Sequence, residues 1–248
     1  MLIPTGLLSW LSIRRHDRAL RQWNRQLENE VDRRISQFGK SRDALVLGLA
    51  KLADYRDNET GEHLERICRY SVLLAERLAR SGRHPIDGAW IERLRMAASM
   101  HDIGKVGVAD HVLLKPDKLT DAEYEQIKAH PTIGADTLMA IRKQFDNDPL
   151  IDMGIEVALG HHERWDGGGY PIGLRGESIP LSARIVAVAD VYDALRSRRV
   201  YKPAMPHDKA VSIIREGRGS QFDPAVVDAL IEIQREIESV AHTRGDDG

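Results

Sequence analysis

The chain has 248 residues, 42% of them hydrophobic and 30% charged, with 36 basic against 38 acidic side chains and a formal net charge of −2. That length is enough to bury a full core and suits one large domain with an appendage. The balanced charge excludes a protein that coats DNA or RNA, whose affinity rests on many phosphate contacts, while a small anion held by metals and a few local cations stays open. The single cysteine, Cys68, excludes an intramolecular disulfide and a thiolate metal cluster. It sits in an apolar helical pattern and reads as a buried, inert thiol. Such usage fits a reducing cytoplasm, the expected location. No run is long enough to span a bilayer.

Residues 2–13 are mostly apolar but short, interrupted by Pro4 and Gly6. Arg14 and Arg15 follow the apolar run, the reverse of a signal peptide. The segment reads as a helix packed on its own domain or on a dimer partner, with peripheral membrane association through residues 1–13 as the lesser alternative. Residues 16–38 carry Leu20, Trp23, Leu27, Val31, Ile35 and Phe38 at steps of three and four, the period of a straight amphipathic helix. Such a stripe must be covered, and a second copy of the chain is the favoured cover, making a homodimer. Gly39 and Ser41 interrupt the pattern and predict a hinge, which divides the chain into a helical linker and dimerisation segment at 1–40 and a main domain at 41–248.

The main domain has helical signals throughout and almost no alternating strand pattern, so the expected fold class is all-α. Helices are predicted at 43–56 and 59–80, the second stopped by Gly82, and at 87–102. A capping box at Thr120 and Glu123 opens a helix that runs to His130, where Pro131 breaks it. Further helices are predicted at 132–144, 149–162 and 181–196, and from Asp223-Pro224 to about Val240. Segment 163–180 is long and irregular, and a long loop beside ligand-type residues is usually functional.

Histidine is more telling than composition. Of ten histidines, His16, His84, His111, His207 and His242 read as surface or loop residues, while five stand in an ordered set of motifs. Glu59 and His63 are four apart and share one helix face. His101 and Asp102 are adjacent at a helix end, where side chains can splay around one site. His130 closes another helix, and His161-His162 closes a fourth before the run Glu163-Arg164-Trp165-Asp166-Gly167-Gly168-Gly169-Tyr170-Pro171. Asp190 lies inside the apolar helix 185–191, where a carboxylate needs a partner or a metal. Nitrogen and oxygen donors without sulfur favour iron, manganese, zinc or magnesium.

Glu-x3-His from Glu59, His-Asp-x-Gly-Lys from His101, His-Pro at His130, His-His-Glu-x2-Asp-Gly-x-Gly-Tyr-Pro from His161 and Asp-x2-Asp-Ala from Asp190 follow one another along the chain. In that order they resemble the HD-GYP family of metal-dependent cyclic dinucleotide phosphodiesterases, a branch of the HD phosphohydrolase superfamily. The resemblance covers residues from about 42 to 240 and implies an HD-domain helical bundle with an extra N-terminal helix. By position it implies that Glu59, His63, His101, Asp102, His130, His161, His162 and Asp190 are metal ligands, with Asp102 bridging and Glu59 helping to hold a third ion. Two or three divalent cations are thus expected, iron first and manganese second. Arg199 and Lys202 match positions where related enzymes contact the dinucleotide.

Such cations can lower the pKa of a bridging hydroxide and hold a scissile phosphate for in-line attack, so no protein nucleophile is required. Lys105, three residues after Asp102, can reach the phosphate as a point charge; as a bystander it is a solvated lysine. Gly167 to Gly169 free the loop backbone and Pro171 restricts it again. Tyr170 is expected to pack under the metal site or to meet the substrate, and Trp165 to shield the site or simply to pack. The expectation is an enzyme that hydrolyses cyclic di-GMP to pGpG, with the choice between pGpG and GMP as end product left open, and with His101, Asp102 and Lys105 catalytic. Three other readings remain: a 3′,3′-cyclic GMP-AMP hydrolase with the same ligands, a nucleotide phosphohydrolase of the simpler HD type, for which the resemblance gives no reason for the loop 161–171, and a non-catalytic module that binds cyclic di-GMP or recruits a GGDEF-domain diguanylate cyclase.

Overall fold

A computed structural model describes residues 5–56, 61–144, 148–197 and 204–242. Its helices are α1 (Thr5–Tyr55), α2 (Gly61–Arg80), α3 (Gly88–Ala98), α4 (Asp110–Leu113), α5 (Asp121–Ile127), α6 (His130–Arg142), α7 (Pro149–Gly160), α8 (Leu181–Arg196), α9 (His207–Glu216), α10 (Pro224–Glu232) and α11 (Gln234–His242). Short 3-10 turns at Ile103–Gly107 and Gly176–Ser178 complete the regular structure. Among the described residues no strand forms, and an isolated bridge joins Arg218 to Phe222. The fold is all-α, as the sequence led us to expect.

The chain divides into two compact units, Met1–Leu45 and Val46–Gly248. In the first, α1 leaves Ile13, Leu20, Trp23, Leu27, Ile35 and Phe38 more than half exposed. The break expected at Gly39 and Ser41 does not form, and α1 runs through both positions. A glycine costs a helix interior only about 1 kcal/mol relative to alanine. Ion pairs at helical spacing, Arg21 with Asp17 and Arg33 and Arg34 with Glu30, support the turns before it.

In the second unit the core is built around α8, whose residues Ala183, Ile185, Val186, Val188, Ala189 and Tyr192 are all fully buried. A helix apolar on every side belongs at the centre of a bundle. Leu74 of α2, Leu94 of α3, Val157 of α7, Ile214 of α9, Leu230 of α10 and Ile237 of α11 share that core. Tyr70 and Tyr192 meet edge to face at 5.1 Å inside it.

Local signals set most helix ends. Asp87 caps α3 by accepting from the Trp90 amide, and Thr120 and Glu123 form the expected capping box of α5. Three expectations are corrected. Pro131 does not end a helix at His130: α5 stops at Ile127, and His130 opens α6 with Pro131 in the first turn, where a missing N–H costs nothing. The last predicted helix is two, because Ile233 leaves helical geometry at φ −109° and ψ 21°. His207 is no surface residue: it opens α9, a helix absent from the sequence reading, and lies buried with its Nδ1 2.9 Å from the Tyr192 hydroxyl.

Candidate metal centre

Five stretches of backbone deliver histidine and aspartate to one place. After α3 ends at Ala98 the chain turns, and His101 and Asp102 lie in that turn, both buried. The 3-10 turn at Ile103–Gly107 then presses on the start of α6. A Cβ on Gly104 would collide with the His130 carbonyl and come within 2.5 Å of the Gly134 amide nitrogen, so only glycine allows this approach. His130 heads α6, and His161 and His162 follow the last turn of α7. His63 comes from α2 and Asp190 from α8.

These residues fall into two groups. Asp102, His130, His161 and His162 offer donor atoms within 4.8 Å of one another, as do His63, His101 and Asp190. Asp102 faces both ways. Its Oδ1 is 3.1 Å from His130 Nε2 and 3.6 Å from His161 Nε2, while its Oδ2 is 3.3 Å from His101 Nε2. Lys105 Nζ also pairs with Oδ2 at 2.8 Å.

In His63, His101, His130 and His161 the other ring nitrogen is already committed. Nδ1 of His101 lies 2.9 Å from the Ala98 carbonyl, that of His130 lies 2.7 Å from the Ile127 carbonyl, and that of His161 is 3.1 Å from both Val157 and Ala158 carbonyls. His63 Nδ1 instead meets the Asp193 carboxylate at 2.7 Å. Each of these bonds keeps a proton on Nδ1 and turns Nε2 inward as the nitrogen open to a metal, the arrangement that orients histidine for ligation. His101 Nε2 and Asp102 Oδ1 are buried without a hydrogen-bond partner. Orphaned polar atoms of that kind are costly, and divalent cations fit them.

The electrostatics agree. Burial opposes charge on Asp102, yet Lys105 and His101 hold it well below the usual carboxylate range. Burial lowers His101, but the neighbouring Asp102 outweighs it and carries the imidazole up to about 9. Burial lowers both His161 and His162, so both are neutral at pH 7 as ligation requires.

The loop after His162 closes one side. Tyr170 stacks on the His162 ring, centroids 4.7 Å apart and planes 28° from parallel. Burial, then Tyr124, Asp102 and Asp190, push its phenol upward, so it stays protonated. Trp165 packs on the far part of the loop instead of shielding the site: its amide bonds the Gln221 carbonyl and its ring lies 5.7 Å from the Arg184 guanidinium.

Three supporting residues escaped sequence reasoning. Asp193 is held by Arg66 through two bonds of 2.6 and 2.9 Å while it orients His63, and those partners keep it ionised against its burial. Its spacing of three from Asp190 was the available signal. Glu163 is buried and accepts from the amides of Ile172, Gly173 and Leu174 at 2.8 to 3.1 Å, pinning the loop that carries Tyr170. Arg56, next to the end of α1, donates to the carbonyls of Val106 and Val108 and to Asp110, clamping the turn that carries Lys105. Nothing in the sequence linked it to that turn. Of the expected site residues, His63, His101, Asp102, Lys105, His130, His161, His162, Tyr170 and Asp190 converge, while Glu59, Arg199 and Lys202 lie outside the described residues.

A helical bundle that buries two abutting His/Asp groups around one shared aspartate is the architecture of an HD-domain protein. Residues 49–226 match the model of the HD domain family, and the chain belongs to it. It is 46% identical over 218 residues to a cyclic di-GMP phosphodiesterase of Vibrio cholerae, covering 87% of this chain and 44% of that one. It is 40% identical over 230 residues to the cyclic di-GMP phosphodiesterase response regulator RpfG of Xanthomonas campestris, covering 93% of this chain and 58% of the relative. The chain thus spans about half the length of these curated relatives. Among solved structures, a cyclic GMP-AMP specific phosphodiesterase of V. cholerae superposes with a TM-score of 0.59 at 19% identity, over 82% of this chain and 51% of that one. At that identity the likeness speaks for the fold alone.

Proposed function

We propose that this chain hydrolyses cyclic di-GMP to pGpG and then to GMP. The single observation that carries the reading is Asp102, whose two carboxylate oxygens turn toward two separate histidine groups. The activity for which the two curated relatives are named supports the choice of substrate. Divalent ions held there supply Lewis acidity toward a phosphodiester and a nucleophile from water at neutral pH.

The chain's own residues do the rest. His63, His101 and Asp190 would hold one ion, His130, His161 and His162 another, with Asp102 a ligand common to the two groups; the resemblance would add Glu59 for a third. Lys105 neutralises a non-bridging phosphate oxygen once cations compete for Asp102, and Arg199 and Lys202 grip the dinucleotide. Tyr170 keeps His162 in register and shields it from bulk water. In the reaction a water oxygen bonds to phosphorus as the bond from phosphorus to the 3′-oxygen breaks, and the departing oxygen takes a proton. Iron is the expected metal and manganese the next, because histidine and carboxylate together suit both. We place the protein in the cytoplasm and read the stripe on α1 as the seam of a homodimer, with a GGDEF-domain protein as a further partner.

The test is metal analysis of anaerobically purified protein, paired with separate assays on cyclic di-GMP and 3′,3′-cyclic GMP-AMP and chromatography of the products. Iron-loaded protein that releases pGpG from cyclic di-GMP in preference to the mixed dinucleotide is the expected result. The reverse preference would move the assignment to the second substrate. Tight binding of cyclic di-GMP with no turnover of either would make the chain a sensor.

A further inference from the structure

We propose that Tyr124, Lys128 and Tyr170 form a second nucleotide subsite, which takes the purine and phosphodiester of the half of the substrate that is not being cut. The inference rests on the cyclic dinucleotide reading above. Such a ligand carries two phosphodiesters and two purines. The metal centre and Lys105 account for one phosphodiester, and Arg199 and Lys202 bring cations but no aromatic face, so the second purine and its phosphodiester still call for a stacking partner with a cation beside it at the mouth of the site.

The geometry supplies both. Tyr124 and Lys128 are four residues apart and lie on one face of the turn that ends α5. The Lys128 ammonium is 5.8 Å from the centroid of the Tyr124 ring and 5.2 Å from that of Tyr170, within cation–π range of each. Tyr170 in turn stacks on His162, one of the three histidines clustered with Asp102. A second link ties the same helix end to the metal centre: the Ile127 carbonyl, one residue before Lys128, holds the Nδ1 of His130 at 2.7 Å. Lys128 therefore stands beside the metal centre, bordered by two phenol rings.

Its chemistry suits a ligand. Tyr124 is half exposed in a position that buries no core, and an exposed ring offers a face on which any purine can stack. Lys128 bonds Glu125 at 2.8 Å, but Glu125 is two-thirds exposed, and an exposed pair of this kind contributes little and yields readily to a phosphate. Lysine serves well there as a compact point charge.

The experiment compares cyclic di-GMP with bis(p-nitrophenyl) phosphate, which has one phosphodiester and no purine, on metal-loaded wild type and on Lys128→Met, Lys128→Arg and Tyr124→Ala. The expected result is a fall of about 10-fold in the ratio of kcat/KM for cyclic di-GMP to that for the small diester in Lys128→Met and in Tyr124→Ala, carried by KM. Lys128→Arg should restore the ratio. A ratio unchanged in Lys128→Met, or an equal loss on both substrates, would overturn the subsite and leave Lys128 as support for His130. Wild type that cleaves the small diester but never cyclic di-GMP would instead overturn the functional reading, and the subsite with it.

Discussion

Asp193 shows how much of a metal centre lies one layer behind its donors. It fixes His63 through Nδ1 and is itself fixed by Arg66 and by the Ser197 hydroxyl at 3.1 Å. Replacing Asp193 with Asn removes the charge that anchors the imidazole, and losses at such supporting carboxylates run about 10- to 100-fold in metal affinity or activity. Metal titration of Asp193→Asn should show that loss in the group of His63, His101 and Asp190 while the other keeps its affinity; equal weakening of both would point to general unfolding. A second expectation concerns His101. Because Asp102 raises its imidazole to about 9, the metal-free residue carries a proton at pH 7 that a cation must displace. Apparent metal affinity should therefore rise with pH until about 9, with proton release on binding. Calorimetry in two buffers of different ionisation enthalpy reads that release directly, and a pH-independent affinity would contradict it. The metal-ligand types at this site were legible in the sequence because hard-metal chemistry restricts them to histidine and carboxylate. Arg56 and Glu163 were not, because they bind backbone amides and carbonyls, and a backbone leaves no mark on residue identity.

At the scale of elements, α1 poses the sharper question. Its residues Ala50 and Ala53 are buried within the second unit, whereas Trp23, Leu27, Ile35 and Phe38 of the first unit are exposed. A row of large apolar side chains at helical spacing over several turns asks for a partner. Removing residues 1–40 cuts within the same helix before its buried part, so the remaining domain should stay folded. Light scattering should then report a monomer where the full chain is a dimer, with activity per chain retained. A dimeric truncated protein would place the interface elsewhere. The stripe was readable from spacing alone, but the helix boundary was not: one glycine weakens a helix too little to end it. Similarly, Pro131 was read as a stop because proline disfavours helix in the residue before it. The same proline is tolerated in a first turn, and only the three-dimensional position of His130 against Gly104 distinguishes the two.

For the molecule as a whole, helical periodicity gave the fold class and the ordered motifs gave the meeting point, while the order of burial around α8 emerged only from packing. The central claim is that one aspartate joins two metal groups into a phosphodiesterase centre. Asp102→Asn keeps the size of the side chain but removes the charge and half the donor capacity that the bridge requires. The direct test measures metal content and cyclic di-GMP turnover in wild type and Asp102→Asn, loaded and assayed side by side, with circular dichroism to establish that both are folded. The account requires a folded variant that loses bound metal and forms no pGpG, and a wild type silenced by chelation and revived by adding the metal back. Full turnover in the variant, or in chelated wild type, would contradict it.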